Sequence, residues 1–316
     1  MVTTIKNMAT ERPFDLIVVG EINPDLILSG NVEPSFGQVE KIVDDAVLTI
    51  GSSSCIFACA AARLGLKVAF VGKTGADEFG GFMCDQLATY GIDTSAIVVD
   101  KRVKTGLSVI LSRGNDRAIL TYSGAIPELQ YQEIDLGMLV RARHLHIGSY
   151  FMLRKLQPYV PELFRAAHSN GLSTSIDTNY DPDELWDSGL NAALEETDIF
   201  LPNETELRAI AGGDDNYQGM AKIAGDRRIV AVKLGPKGGI ACHAGATVKA
   251  DTIPVQVVDT TGAGDTFDAG FIYGFLSHWD LQQSLQFACI CGSLSTLKAG
   301  GTAGQPTLAE AFSLLH

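Results

Sequence analysis

Short, unalternating apolar runs recur along this chain, most of them closing on glycine or a small polar residue. Phe14 to Val19 closes on Gly20, KVAFVG on Gly72 and IVAVKLG on Gly235, while HLHIGSY and LSTSID read as further strands. Strands without alternation fit a parallel sheet covered on both faces. Helical spacing fills the intervals. CIFACAAARLG ends on Gly65 as a C-cap, a helix is expected from about Lys155 to Asn170, and IFLPNETELRAIAG reads as strand then helix. The pattern predicts an α/β fold: a doubly wound, mainly parallel sheet flanked by helices, in one domain over residues 13–316. Residues 1–12 are expected to be loose.

A second pattern interrupts this rhythm. Residues 26–30, 39–50, 105–112 and 117–123 alternate more and are rich in β-formers, and LSVILSRGNDRAILTYS reads as a hairpin about Gly114-Asn115-Asp116. These pieces, inserted within about 22–50 and 104–124, predict a small separate β-sheet that lies over the main one as a lid.

The stretch VVDTTGAGDTFDAGFIYG (257–274) carries the sharpest candidate chemistry. The apolar run Ile253 to Val258 predicts a strand ending at Asp259, then a glycine-containing turn, then a helix bearing Phe267, Ala269, Gly270, Phe271 and Phe275. A helix start presents unpaired N–H groups and a partial positive charge, which suits an anion such as phosphate. Two uses stay open for each residue. Asp265 either caps the helix or does chemistry, and the glycines serve either a tight turn or an anion site. The helix dipole favours the carboxylate form of Asp265. The pattern is not a dinucleotide fingerprint, because Phe267 stands at the third glycine position.

Composition narrows the classes. The chain has 316 residues, 46% hydrophobic and 19% charged, enough for a sizeable core. A net charge of -13 argues against nucleic acid or an anionic membrane as partner. Six cysteines without a CxxC pair read as reduced thiols of a cytoplasmic protein. The opening MVTTIKNMATERP has no apolar h-region, and no run approaches the ~20 apolar residues of a membrane span. Gly72-Lys73-Thr74 is no P-loop, since Lys67 stands where its first glycine belongs. His144 and His146 share a strand face without a visible third ligand, so burial explains them better than metal.

Several polar residues fall at predicted strand ends: Asn23, Asp25, Asp177, Asn179, Asn203, Glu206, Lys233 and Asp265. In a doubly wound sheet these ends share one edge, so residues distant in sequence can meet in one cleft. Gly51-Ser52-Ser53-Ser54 opens a helix and can either bind hydroxyls or simply cap it.

Together these motifs resemble the ribokinase-like (PfkB) family of carbohydrate and nucleoside kinases over nearly the whole chain. DTTGAGDTFDAGF (259–271) is similar to the family's C-terminal signature. Asp25, ARLG (62–65), VGKTGADEFG (71–80), GIDTS (91–95), Asn203-Glu-Thr-Glu206 and LGPKG (234–238) also match. The resemblance implies an ATP- and Mg²⁺-dependent phosphotransferase that phosphorylates an alcohol hydroxyl of a sugar or sugar derivative. It implies Asp265 as the base and Gly262, Ala263 and Gly264 as the anion hole. Asn203 and Glu206 would organise Mg²⁺ through water. Asn179, Asn203, Lys233, Gly235 and Gly238 would contact ATP, and Asn23, Asp25, Gly51 and Ser52 the sugar. Asp259 resembles a monovalent-cation site, which would make K⁺ a further cofactor. Lid strands in the family often pair, which suggests a homodimer.

Three positions depart from the family pattern. Counting back from Arg63-Leu64-Gly65, Ser52 stands at the second glycine and Ile56 at a sugar-binding asparagine, which leaves the substrate open. Asp181 stands where several sugar kinases carry arginine, so an acidic sugar is disfavoured unless Arg102, Arg113 or Arg117 supplies the cation. The alternatives are a nucleoside kinase of the same fold, a catalytically weak sugar-binding regulatory relative and, more distantly, a dinucleotide oxidoreductase.

Overall fold

Val18 pairs with Phe70 on one side and His146 on the other, both in parallel register, and this three-strand unit is the middle of a larger sheet. The computed structural model describes residues 12–113 and 116–315. Residues 1–11 of the stretch expected to be loose, and Gly114 and Asn115 of the expected hairpin turn, lie outside the described residues. Arg12 is tied to the domain, donating to the carbonyls of Ala142 (2.6 Å) and Asn170 (2.8 Å).

In chain order the strands are β1 (Leu16–Val19), β2 (Pro24–Ser29), β3 (Asp45–Ile50), β4 (Val68–Val71), β5 (Lys73–Gly75) and β6 (Val98–Asp100). They continue as β7 (Leu107–Arg113), β8 (Asp116–Tyr122), β9 (His144–Ile147), β10 (Ser173–Ile176), β11 (Ile199–Phe200), β12 (Ile229–Lys233), β13 (Gly239–His243) and β14 (Ala246–Ala250). The main sheet has the order β14-β13-β12-β11-β10-β9-β1-β4. It is parallel from β4 to β12 and ends in the antiparallel pair β13–β14. Alternate residues of β1 feed two cores. Leu16 and Val18 pack under the helices Ser53–Arg63, Ala263–Leu276 and Leu281–Ser295. Ile17 and Val19 pack under Val160–Ser169 and Glu204–Ala211. Burial on both faces is why these strands carry no alternation.

β2, β3, β7 and β8 form a separate sheet in the order β3-β2-β7-β8. Its outer strands expose Val47, Leu48, Ile119, Leu120 and Tyr122. Residues 39–44, expected to be part of a strand, are irregular.

Two further expectations are corrected. Ile253 to Val258 is not a strand: the sheet is finished by β13–β14, and Val257 and Val258 are exposed. Pro254 offers no N–H for a ladder, and the amides of Val258 and Asp259 turn instead to the carbonyl of Thr296 (2.8 and 3.2 Å). The helix expected from Lys155 begins at Val160, after a short 3₁₀ turn at Gln157–Tyr159 that contains Pro158. Among the described residues no helix is long and apolar enough to cross a membrane.

Candidate active site

Gly262 starts the site because its backbone lies at φ +72°, in the left-handed region. A Cβ there would come within 2.6 Å of the Gly301 carbonyl and 2.8 Å of Ile56. The helix Ala263–Leu276 follows, with its first turn-to-turn bond from Thr266 N–H to Gly262 O (2.9 Å). The amides of Gly264 and Asp265 precede that bond and have no helical acceptor. Asp265 is the third helical residue, so it is not the N-cap.

This turn borders two cavities. Thr261, Gly262 and Asp265 line one of about 800 Å³ together with Asn23, Asp25 and Ser52. Thr260, Ala263 and Gly264 line another of about 470 Å³, with Lys233, Gly235 and Gly238, and with Ile253, Val255 and Val257 as apolar wall. Parallel strands account for the convergence. The carboxyl ends of β1, β9, β10 and β12 deliver Glu21, Ser149, Asn179 and Lys233 to one edge of the sheet.

In the larger cavity, Asn23 Nδ2 donates to Ser108 Oγ (3.2 Å), which also bonds Thr121 Oγ1 (3.0 Å). Gly51 is needed where it stands, because a Cβ would meet the Asp25 carboxylate at 2.1 Å. Ser52 holds φ +67°, donates to the Glu21 carbonyl (2.7 Å) and accepts from the Cys55 amide (3.1 Å). Asn179 lies in this cavity rather than the smaller one, and donates to Ser149 Oγ at 2.8 Å.

Asn203 and Glu206 close a reciprocal capping box on the helix Glu204–Ala211. Asn203 N–H donates to Glu206 Oε2 (2.8 Å), and Glu206 N–H to Asn203 Oδ1 (2.9 Å). Neither residue lines either cavity. Asp259 accepts from the Thr261 amide and hydroxyl (2.9 and 2.8 Å) and the Gly300 amide (2.8 Å).

Three further side chains, Glu21, Asp268 and Arg154, belong to the site without being singled out by the sequence pattern. Glu21, just past β1, is 5% exposed and accepts from Ser54 and Ser149 (2.8 Å). Gly20 makes room for Ser54, since a Cβ there would overlap its hydroxyl. Asp268 sits one turn below Asp265 and accepts from Lys233 Nζ (2.8 Å), which also donates to Asp177 (3.2 Å). Arg154 lines the larger cavity. The position of Glu21 after a strand end is a usable signal. Nothing in the spacing pairs residue 233 with residue 268.

The electrostatics follow from burial. Lys233 is held above its ordinary range: burial works against its charge, but Asp177, Asp268 and Glu206 outweigh that. Burial would raise Asp177, yet Lys233 and hydrogen bonds from Asp268 and Asn179 bring it below the usual carboxylate range. Burial raises Glu21 and, against the opposing pull of Lys233, Asp268. Glu206 is pushed to about 7 by burial and by Asp177. Asp25 is pushed to about 6 by burial, against the opposing charge of Arg117. Asp265 is raised well above the carboxylate range, first by burial and then by Asp177. The helix-dipole pull on Asp265 toward the carboxylate form is outweighed, because a partial charge at a helix start is weaker than burial beside another acid. His144 and His146 are lowered to about 3 by burial and bond to Ser173 and Ser175.

A raised carboxyl at a helix start, between a polar cavity and an apolar-walled one, is equipped to take a proton beside an anion. Residues 14–308 match the profile of the pfkB family carbohydrate kinases. The chain is 28% identical to the 5-dehydro-2-deoxygluconokinase of Geobacillus kaustophilus, over 95% of this chain and 93% of that one. It is 29% identical to the ribokinase of Haemophilus influenzae, over 95% and 98%. A putative ribokinase II from E. coli, solved in complex with ATP and Mg²⁺, superposes with a TM-score of 0.84 at 26% identity, covering 95% and 98%.

Proposed function

The chain belongs to the pfkB family of carbohydrate kinases, and from that premise we propose that it transfers the γ-phosphoryl group of ATP to an alcohol hydroxyl of a sugar or sugar derivative. The observation that carries this reading is the Gly262–Asp265 turn. Its residues divide between the two cavities, which supports a helix start that serves an acceptor on one side and a nucleotide on the other.

In this reading the base of ATP rests against Ile253, Val255 and Val257, and its phosphates approach Gly235, Gly238 and Lys233. The acceptor lies with Asn23, Asp25, Gly51 and Ser52, with Asn179 beside it. Asp265 accepts the proton of the attacking hydroxyl as its oxygen bonds to the γ-phosphorus and ADP leaves. The turn Gly262-Ala263-Gly264 holds the charge on the transferring group, with the Gly264 amide among those left without a helical acceptor and one such donor worth ~3–4 kcal/mol of barrier. Mg²⁺, when bound with ATP, neutralises phosphate charge. Asn203 and Glu206 are its candidate partners through water. Asp259, kept ionised by the amides of Gly300 and Thr261 despite its burial, is the candidate for K⁺.

The four-stranded sheet acts as the lid within a single domain, and its exposed outer strands β3 and β8 support pairing of two copies. The protein is assigned to the cytoplasm, where its six cysteines stay reduced. The test is ADP formation across sugars, sugar acids and nucleosides with Mg²⁺, with and without K⁺. Turnover of nucleosides alone would favour a nucleoside kinase, and ATP binding without any turnover the regulatory reading.

A further inference from the structure

Asp181, whose residue type argues against a charged acceptor, contributes nothing to the larger cavity. It is 2% exposed, and its carboxylate is spent on the amides of its own loop, Asp183 (3.0 Å), Leu185 (2.9 Å) and Trp186 (2.7 Å). Two guanidinium groups do line that cavity. Arg117, on β8, reaches from the small sheet to the hydroxyl of Thr261, and its other guanidinium N–H groups have no partner among the described residues. Arg154, in the loop after β9, gives one nitrogen to Asp183 at 2.7 Å, and the rest of its fork is unpaired among the described residues. Arg102 and Arg113 are absent from this lining and pair with Asp100 (2.8 Å) and Glu33 (3.0 Å).

The cavity is polarised as a result. Its carboxyl groups, Glu21, Asp25 and Asp265, are all buried, while Arg117 and Arg154 stand on its exposed wall. Buried carboxyls suit the hydroxyls of a polyol. A neutral polyol gives a guanidinium only weak acceptors, whereas a carboxylate or phosphate meets its planar fork with two charge-assisted bonds. In a chain of net charge -13, two cations at the wall of one cavity also set the local field an anion would follow.

We infer that the acceptor is a sugar derivative bearing an anionic group, a carboxylate or a phosphate, and that Arg154 and Arg117 form the binding site for that group. The inference rests on the kinase reading above and names its substrate class.

The experiment measures kcat and KM of the full chain with MgATP on matched acceptors. D-Glucitol is compared with D-gluconate for the carboxylate, and D-fructose with its 1- and 6-phosphates for the phosphate. One charged acceptor should exceed its neutral counterpart by about tenfold or more in kcat/KM, and which arm responds identifies the anion. Arg154→Gln and Arg117→Gln should each reduce that preference by about tenfold, chiefly through KM, with Arg154→Lys between them and the parent. The same charged acceptor should raise the Tm of the parent chain more than that of either glutamine variant, a readout independent of turnover. Equal use of charged and neutral acceptors would overturn the inference and leave the kinase reading standing. So would an equal fall in kcat for both acceptors in the arginine variants. No turnover of any acceptor despite ATP binding would overturn both.

Discussion

Lys233 and Asp268 form an ion pair inside the protein: Nζ lies 2.8 Å from Oδ2, and the Asp268 side chain is 1% exposed. Asp177, at the end of β10, shares the same ammonium at 3.2 Å. One cation thus holds carboxyl groups from two separate elements directly behind the Gly262–Asp265 turn. Removing one partner of such a set leaves a buried charge uncompensated, at about 3–5 kcal/mol. Lys233→Met should therefore lower unfolding stability by about 3 kcal/mol, read from urea denaturation. Adding Asp268→Leu should recover part of the loss, because one acid then no longer needs a cation. A single variant as stable as the parent would show that the pair holds nothing.

Asp265→Asn keeps the size and polarity of the side chain but cannot accept the hydroxyl proton. Its kcat should fall by about 10²- to 10⁴-fold, the usual contribution of a positioned base. ATP affinity, measured by titration calorimetry, should stay within about threefold of the parent, since Ala263 and Gly264 rather than Asp265 line the smaller cavity proposed for the nucleotide. Retention of full activity would remove Asp265 from the chemistry.

The sheet is readable from sequence because its strands are buried on both faces, and Leu16–Val19 shows this in four consecutive residues. The 259–271 signature is readable because the left-handed Gly262 and the acid three residues on are local in sequence. What is not readable depends on elements meeting. Glu21 becomes a site group only where Ser54 and Ser149 arrive from other elements, and Lys233 finds Asp268 only once β12 lies beside the helix Ala263–Leu276. Ile253–Val258 misleads because Ile253, Val255 and Val257 line a cavity and Val258 is exposed, so the run is apolar without belonging to the sheet. Asp181 misleads because residue type is legible while the direction of its carboxylate, into its own loop, is not.

The raised carboxyls give pH dependences of definite sign. Asp265 must be ionised to accept a proton, and its burial holds it above the ordinary carboxylate range. The acid limb of kcat/KM, which reports the free enzyme, should therefore have its midpoint above that range. Stability should move the opposite way. Asp25, at about 6 folded against 3.8 unfolded, and Glu206, at about 7 against 4.5, bind more protons in the folded state than in the unfolded one. The stability they contribute is full below about pH 4 and is lost as pH rises through 6 to 7. Asp177 works the other way, but its stabilisation is lost only as pH falls below the ordinary carboxylate range. The ligand-free protein should thus be less stable at pH 8 than at pH 5, by on the order of 1.4 kcal/mol for each pH unit between 5 and the folded-state value of each group. Glu206→Gln should flatten the slope of stability between those values, and an unchanged slope would dissociate Glu206 from it.

Gly262 and Gly264, two residues apart in the same turn, should respond differently to one added methyl group. At Gly262 the backbone is left-handed, and a Cβ would come within 2.6 Å of the Gly301 carbonyl and 2.8 Å of Ile56. Gly262→Ala combines the ~1–2 kcal/mol of the left-handed conformation with a clash against backbone that cannot swing away. The turn must move, and transfer should fall together with Tm. At Gly264 the nearest atom to a Cβ is Lys233 Cδ at 3.4 Å, an ordinary contact, and the residue is already helical. Gly264→Ala should leave Tm unchanged or raise it slightly, because alanine is the better helix former by ~1 kcal/mol. The added methyl group nonetheless projects toward the smaller cavity beside Lys233, so if ATP binds there as proposed, its KM should rise while KM for the acceptor holds. Equal losses of Tm in the two variants would show that the turn is constrained as a unit rather than at Gly262 alone.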